Sequence, residues 1–313
     1  MKTHTFLISA GLLALASVCA HAKIERTVEK SFSVQPGGTL TVDTQGGDIR
    51  ILTSNQATVM VVAKEKIRAS SDKEADQILA KLALIMAQDA AGVTATTKYE
   101  KGVPGIHWGS WPPVQVDFTV TVPANYNVAL KTSGGDIKIA DLLGKVRART
   151  SGGNISLGRI SGEVDAGSSG GDVSLNEGAA TVKLSTSGGN IHVERAVGPT
   201  DLDTSGGDIS IKSVENTLHA TTSGGDVTAG IVGALKGACR LSTSGGRVRV
   251  AVDKMAAFDL NAATSGGDVE AAGLTITIEK GGSGKSSLAG KVNGGGPLLK
   301  LRSSGGDVII ETR

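Results

Sequence analysis

A column of acidic and amide side chains is the first feature of this sequence that could do chemistry. Asp or Asn follows a Gly-Gly pair in a recurring six-residue phrase, of which TSGGDI at 132–137 is one copy. The column comprises Asp136, Asn154, Asp172, Asn190, Asp208, Asp226, Arg247, Asp268 and Asp307. Stacked carboxylates could bind calcium, which takes six or more oxygen ligands. Because Asn alternates with Asp and Arg247 interrupts the column, we expect turn residues here and no metal site.

A second candidate is the glycine-rich run EKGGSGKS at 279–286, which resembles a phosphate-binding loop. That motif requires Gly where Glu279 stands, and a helix must follow it to present its N-terminus to the phosphate. The following run, SLAGKVNGGGP at 287–297, is too rich in glycine to form that helix. The pattern therefore favours the tip of a β-hairpin.

Catalytic residue types are sparse. Outside the N-terminal segment the histidines are His107, His192 and His219, which are far apart in sequence, and Cys239 is the single cysteine. Neither a Cys/His ligand cluster nor a nucleophile–base pattern is present in the sequence. We therefore expect no catalytic, cofactor-binding or metal-binding residues and no enzymatic activity.

The phrase itself points to the fold. Its copies begin every 18 residues from Thr132 to Thr222, then at Thr243, Thr264 and Ser303. Self-similarity near 20 residues is typical of a solenoid in which each coil stacks on its neighbour. Apolar residues two apart flank each phrase, which indicates two short strands per coil with one buried face. The sequence thus predicts an all-β fold, a parallel β-solenoid with 18–21-residue coils.

Each residue of the phrase has a structural interpretation. Glycine suits a corner that needs positive φ or close approach of two backbones. Thr or Ser can bond to local backbone and to the same hydroxyl one coil away, and Asp or Asn can accept N–H groups of the turn. Cys239 falls in an inward column and is expected in the core.

A segment without the phrase interrupts the repeat near its start. Residues 40–51 match a coil, yet the next copy begins at 128, so residues 52–127 form a small β-rich excursion. It is expected to contain strands at 58–66, 93–99 and 114–122 and one α-helix at about 71–88, which begins with a capping box. The excursion could cap one end of the solenoid, or the loop with Trp108 and Trp111 could be a recognition site.

The N-terminus has the layout of a secretory signal peptide. A lysine precedes the apolar run 6–18, and small residues end at Ala22, after which we expect cleavage. The rival is a lipoprotein signal in which Cys19 begins the mature chain. No other stretch is apolar enough to span a bilayer, and a net charge of +2 with interspersed signs gives no strong attraction to nucleic acid.

The repeated T-S-G-G-D-[IV], the opening GGTLTV at 37–42 and the closing LAGKVNGGGPLLKLRSSGGDV at 288–308 resemble the bacterial putative-adhesin family of exported β-strand-repeat proteins, a domain of unknown function. The resemblance covers nearly the whole mature chain and implies an exported solenoid with no established catalytic residues. The predicted organisation is a signal peptide (1–22), a first coil with its capping excursion (23–127) and the solenoid proper (128–313).

The function that these patterns favour is that of a non-enzymatic periplasmic or cell-surface protein presenting a rigid solenoid, as an adhesin or binding scaffold. Its partner would be an envelope or cell-surface protein or a polysaccharide. The alternatives are a structural or signalling accessory of the envelope and a carbohydrate-active enzyme.

Overall fold

The computed structural model describes residues 24–99 and 114–313. The predicted signal peptide, Cys19 and the loop with Trp108 and Trp111 lie outside these residues. Within them the protein has 27 β-strands and one α-helix.

The strands up to the first regular coil are β1 (Ile24–Ser33), β2 (Thr39–Thr44), β3 (Ile49–Ser54), β4 (Thr58–Ile67), β5 (Leu82–Gln88), β6 (Gly92–Tyr99), β7 (Val114–Pro123), β8 (Asn127–Thr132) and β9 (Ile137–Ile139). The helix is α1 (Asp72–Leu79). The remaining strands are β10 (Val146–Thr150), β11 (Ile155–Ile160), β12 (Val164–Ser168), β13 (Val173–Gly178), β14 (Val182–Thr186), β15 (Ile191–Ala196), β16 (Thr200–Thr204), β17 (Ile209–Val214), β18 (Leu218–Thr222), β19 (Val227–Ile231), β20 (Cys239–Thr243), β21 (Val248–Val252), β22 (Phe258–Thr264), β23 (Val269–Ala272), β24 (Ile276–Gly284), β25 (Ser287–Val292), β26 (Leu298–Ser303) and β27 (Val308–Thr312).

The strands form two long sheets. Sheet A has 13 strands in the order β1-β4-β7-β3-β9-β11-β13-β15-β17-β19-β21-β27-β23. Sheet B has 14 strands in the order β24-β25-β22-β26-β20-β18-β16-β14-β12-β10-β8-β2-β6-β5. Each regular coil contributes one strand to each sheet, and neighbouring coils pair in parallel with like positions in register. The predicted all-β parallel solenoid is confirmed.

The core lies between the two sheets. Side chains of the predicted inward columns are buried in nearly every coil, among them Val146, Ala148, Ile155 and Leu157. Cys239 is also buried, with 1% of its surface exposed. The narrow core follows from the sequence, because small and branched aliphatic side chains alternate with polar ones along every strand.

The last coil departs from the predicted order of stacking. Strand β26 lies between β20 and β22, and β27 lies between β21 and β23. The C-terminal coil is therefore inserted between the coil of β20 and β21 and the coil of β22 and β23. Beyond β22, strands β24 and β25 form an antiparallel hairpin, which confirms the hairpin predicted for the glycine-rich run.

At the start of the chain, too, the order of strands in the sheets differs from their order in the sequence. The first coil, β2 and β3, lies between β8 and β9 on one side and β6 and β7 on the other. Strands β4, β1 and β5 then extend the two sheets with antiparallel partners. The strands of the excursion thus continue the stack.

The predicted helix at about 71–88 is wrong in its second half. Helix α1 ends at Leu79, and residues 82–88 form edge strand β5, paired with β6. The apolar residues of LALIMAQ fit both periods, and pairing with β6 selects the strand because it satisfies the backbone. At its start α1 is capped as predicted, since Ser71 Oγ accepts from the N–H of Glu74 at 3.3 Å.

Two contacts link β1, at the edge of sheet A, to helix α1 and to β5, at the edge of sheet B. Arg26 of β1 bonds to Asp76 of α1 at 2.6 Å, and Lys30 of β1 donates to the carbonyl oxygen of Met86 in β5 at 2.9 Å. Within the described residues, no helix is long and apolar enough to cross a membrane.

Candidate functional site

The threonine or serine of each phrase ties two coils together. Thr150 Oγ1 donates to the carbonyl oxygen of Gly135 in the preceding coil at 2.9 Å and accepts from the N–H of Gly153 at 3.3 Å. The same pair of bonds is made by the hydroxyls of Thr132, Ser168, Thr186, Thr204, Thr222, Thr243, Thr264 and Ser303. All these hydroxyl-bearing residues are buried. The expected bond between like hydroxyls of successive phrases is therefore replaced by a bond to a glycine carbonyl.

The second glycine is required by close packing of backbones. A Cβ on Gly153 would lie 2.0 Å from the carbonyl oxygen of Gly135, whereas a Cβ on Gly152 would lie 3.7 Å from its nearest neighbour. Neither glycine adopts a positive φ. Of the two reasons considered for glycine at the corner, close approach is the operative one here.

The Asp and Asn column forms a ladder of hydrogen bonds along the stack. Asp136 Oδ1 accepts from the N–H of Asn154 at 2.8 Å, and Asn154 Oδ1 accepts from the N–H of Asp172 at 2.8 Å. The pattern continues through successive coils to Arg247, whose side chain has no acceptor. The column thus holds neighbouring coils together. Among the described residues, no group of three or more His, Cys, Asp or Glu is arranged to hold a metal ion.

Because the phrase is occupied by contacts within the fold, the outer faces of the sheets remain for binding. Two adjoining depressions of about 600 Å³ each lie on the outer side of sheet A and share Asp141 and Asn176. We call them together the sheet A groove. It runs from Arg50 on β3 to Lys212 on β17, a distance of five strand spacings or about 24 Å.

One end of the sheet A groove carries two cations side by side. Arg50 and Lys138 are exposed and are Cα partners on β3 and β9. In the described part of the chain neither side chain has an acidic partner. Ser156 and Ser174 continue the same row on the next two strands. Like charges on paired strands repel, so this end attracts anionic groups, and the hydroxyls beside it can donate hydrogen bonds.

The other end of the groove has compensated charges. Arg159 bonds to Asp141 at 2.6 Å, and Arg195 bonds to Glu177 at 3.3 Å and to Glu215 at 2.7 Å. The backbone N–H and the guanidinium of Arg159 lower the pKa of Asp141. A carboxyl group held ionised in this way is a hydrogen-bond acceptor and a poor proton donor at neutral pH.

The residues singled out in the sequence are dispersed. His192 and His219 are exposed on different sheets, and His192 Nε2 lies 3.0 Å from Glu194 Oε1. Burial raises the pKa of the Cys239 thiol. Sequence reasoning missed Arg50 and the row that it begins. The signal was available, because Lys138, Ser156 and Ser174 occupy one outward position at 18-residue spacing.

Comparison with known proteins gives a family and distant structural neighbours. The family model described as Toastrack DUF4097 matches residues 38–311. A comparison with curated proteins found no match. The solved structure of a putative adhesin from Bacteroides fragilis is similar at 12% identity, over 92% of this chain and 97% of its own, with a TM-score of 0.38.

Two structures from Parabacteroides are similar to the same degree. A putative adhesin of P. merdae matches at 9% identity, over 91% of this chain and 96% of its own, with a TM-score of 0.41. A putative lipid binding protein of P. distasonis matches at 10% identity, over 91% and 96% of the two chains, with a TM-score of 0.33.

Proposed function

Because this chain belongs to the Toastrack DUF4097 family, we propose that it is a non-enzymatic, exported protein of the cell envelope whose β-solenoid serves as a rigid binding scaffold. The rigidity is supported by the bonding of the coils. Each corner in the regular stack is joined to the next by backbone pairing, by a buried hydroxyl and by an Asp or Asn acceptor.

Export rests on the N-terminal segment. Residues 1–22 have the pattern of a signal peptide, and cleavage after Ala22 would release a mature chain that begins at Lys23. The protein would then reside in the periplasm or on the cell surface. The N-terminal sequence of the protein recovered from the envelope fraction tests this. A chain that begins at Cys19 with attached lipid would contradict it.

The binding surface in this proposal is the sheet A groove. The observation that carries it is the pair Arg50 and Lys138, which lie side by side in a concave surface without acidic partners in the described residues. The groove is open and about 24 Å long, so it suits an elongated polar ligand. We infer that the ligand is a polysaccharide or an extended protein segment of the envelope, with anionic groups at the Arg50 end.

A non-enzymatic role is supported by the state of the acidic groups in the groove. Asp141 and Glu177 bond to arginines, and Glu194 bonds to His192 at 3.0 Å and to Lys212 at 3.1 Å. These partners lower the pKa values of Asp141 and Glu194. A general acid in a glycoside-cleaving enzyme needs a raised pKa, usually produced by an apolar pocket. The arrangement here favours binding without turnover.

The test compares two pairs of exposed cations. Immobilised residues 23–313 are incubated with purified envelope polysaccharide and, separately, with solubilised envelope protein. Replacing Arg50 and Lys138 by alanine should weaken retention by about tenfold, equivalent to roughly 1.4 kcal/mol. Replacing Lys131 and Lys183 on sheet B removes the same charge and should leave retention unchanged. Equal loss in both variants would show non-specific charge attraction, and cleavage of the polysaccharide would contradict a non-enzymatic role.

A further inference from the structure

Two arginines on the outer face of sheet B are held in the same way by different partners. Arg149 on β10 donates from Nη1 to the carbonyl oxygens of Ala148 and Asp165, at 3.0 and 2.8 Å. Its Nη2 donates to Asp165 Oδ1 at 2.6 Å. Arg147, two residues earlier on the same face, lies 3.9 Å from Asp165 Oδ2. One carboxylate thus orients Arg149 and compensates the charge of both arginines in part.

Arg302 on β26 repeats this geometry without the carboxylate. Its Nη1 donates to the carbonyl oxygens of Leu301 and Asn261, at 2.8 and 2.9 Å, and its Nη2 donates to Asn261 Oδ1 at 2.8 Å. Asn261 occupies the place that Asp165 has beside Arg149. The amide fixes the guanidinium in the same orientation and leaves its positive charge uncompensated.

Two further cations adjoin Arg302. Lys300 is two residues earlier on the same face and is the Cα partner of Arg240 on β20. Within the described ranges, neither Arg240 nor Lys300 forms an ion pair. Arg147, Arg149, Asp165 and Lys131, the Cα partner of Arg149 on β8, carry a net charge of +2, and the guanidinium of Arg149 is bonded to a carboxylate. Arg240, Lys300 and Arg302 carry a charge of +3, and the guanidinium of Arg302 is bonded to an amide.

Arg240 and Lys300 are an exception to the charge pattern of their own row on sheet B. Along the row that contains Arg147 and Lys300, the central coils alternate in sign, with Arg147, Asp165, Lys183 and Asp201 on successive strands. Such alternation stabilises paired strands, and adjacent like charges destabilise them. Burial and the charge of Arg240 lower the pKa of Arg302, as expected for a cation without a counter-ion.

We propose that Arg240, Lys300 and Arg302 form a binding site for a phosphate or sulfate ester group on a soluble ligand, such as a phosphorylated or sulfated saccharide. A guanidinium fixed by Asn261 can present its remaining N–H groups to such an anion, and two cations beside it add attraction. The site lies on the sheet opposite the sheet A groove and does not depend on it.

The surroundings favour a soluble ligand over a lipid surface. The outward neighbours of the cluster include Ser242 and Asn261, which are small and polar. Leu298 is the exposed large apolar side chain on β26 among the described residues, with 41% of its surface accessible. Stable membrane docking needs several inserted apolar side chains or a larger basic surface.

The substitution Asn261→Asp gives a direct test. It copies the Asp165 arrangement and supplies an internal counter-ion, so the fold should be retained, as judged by an unchanged melting temperature. Binding of inorganic phosphate, inorganic sulfate and glucose 6-phosphate is measured by calorimetry at low ionic strength. We expect Asn261→Asp and Arg240→Ala each to weaken binding by about tenfold, or roughly 1.4 kcal/mol.

The reciprocal substitution Asp165→Asn is the matched gain-of-function variant. It should release the charge of Arg149 and Arg147 and add a second phosphate site to the folded protein. Wild-type affinity in the Asn261→Asp variant would overturn the proposal. Binding to vesicles of phosphatidylglycerol that needs Arg240, without binding of the soluble phosphates, would also overturn it and assign the cluster to a membrane surface.

Discussion

A Cβ atom on Gly153 would lie 2.0 Å from the carbonyl oxygen of Gly135 in the preceding coil. Thr150 donates its hydroxyl to that same carbonyl oxygen. The spacing of the coils therefore depends on two backbones that touch at a position where any side chain is excluded. This contact explains why the second glycine recurs in the phrase, although the φ angle there is one that other residues adopt.

The two glycines of one corner should respond differently to alanine. Gly153→Ala forces neighbouring coils apart and should destabilise the protein by about 1–3 kcal/mol or more. Gly152→Ala places its methyl group 3.7 Å from the nearest atom and should change stability by about 0.5 kcal/mol or less. Urea unfolding of the two variants measures the difference. Equal destabilisation would contradict the role assigned to close approach.

The ladder predicts which changes of Asp208 are tolerated. Its Oδ1 accepts from the N–H of Asp226 at 2.8 Å, and an asparagine oxygen can do the same. Asp208→Asn should therefore be nearly silent, whereas Asp208→Ala should cost about 1 kcal/mol because the bond is lost. Thermal melts of both variants test this. A loss of stability in Asp208→Asn equal to that in Asp208→Ala would show that the charge, and not the acceptor, matters.

The two tyrosines should ionise late in the folded protein. Burial raises the pKa of Tyr99 to about 12, and burial with the charge of Asp89 raises the pKa of Tyr126. A phenol whose folded pKa lies above its unfolded value of about 10 stabilises the fold progressively less as pH rises through that interval. Below about pH 10 both the folded and the unfolded protein keep the phenol protonated, so stability does not depend on pH there. Above about pH 10 the unfolded state ionises first, and the free energy of unfolding falls.

Spectrophotometric titration measures the phenolate directly. We expect little ionisation at about pH 10 in the native protein and half ionisation near that pH in denaturant. The variant Tyr99→Phe should remove the step at about pH 12 and leave that of Tyr126. A native midpoint at the unfolded value would show that the end of the solenoid near α1 is open to solvent.

The inserted position of the C-terminal coil predicts that the coil of β22 and β23 depends on it for pairing, whereas distant coils do not. Strands β22 and β23 pair with β26 and β27 and not with β20 and β21. Deletion of residues 298–313 should therefore expose to hydrogen exchange the amides of β23, which pairs with β27, and those amides of β22 that face β26, whereas amides of β22 that face β25 stay paired. The amides of β14 and β16 should stay protected, since a solenoid is stabilised mainly by nearest neighbours. Retained protection in β23, an edge strand that pairs with β27, would mean that this coil can stack directly on the coil of β20 and β21.

The sequence predicts the contents of a coil better than the order of coils. The inward columns, the buried Cys239 and the hairpin of β24 and β25 all follow from periodicity and glycine content. The insertion of the last coil could not be predicted, because near-identical repeats offer the same pairing in several orders. Residues 82–88 fit a helix and a strand equally well, and a partner distant in sequence decides between them.

The candidate site was less accessible to sequence reasoning. Arg50 and Lys138 are 88 residues apart and become neighbours only when the first coil stacks on the coil of β8 and β9. The cluster at Arg302 likewise depends on the inserted coil, which brings Lys300 beside Arg240. In both cases the site is found by asking which outward residues are paired on neighbouring strands. That pairing is known only once the stacking order of the coils is known.

The central claim is that the repeated phrase builds the solenoid and that ligands bind to its outer faces. The most direct measurement is the affinity of the purified envelope ligand for two variants of residues 23–313, with folding checked by circular dichroism. The account predicts that Arg50→Ala with Lys138→Ala loses about tenfold in affinity while Asp208→Asn binds as the wild type does. If Asp208→Asn abolished binding with the fold intact, the phrase would be the ligand site and the account would be contradicted.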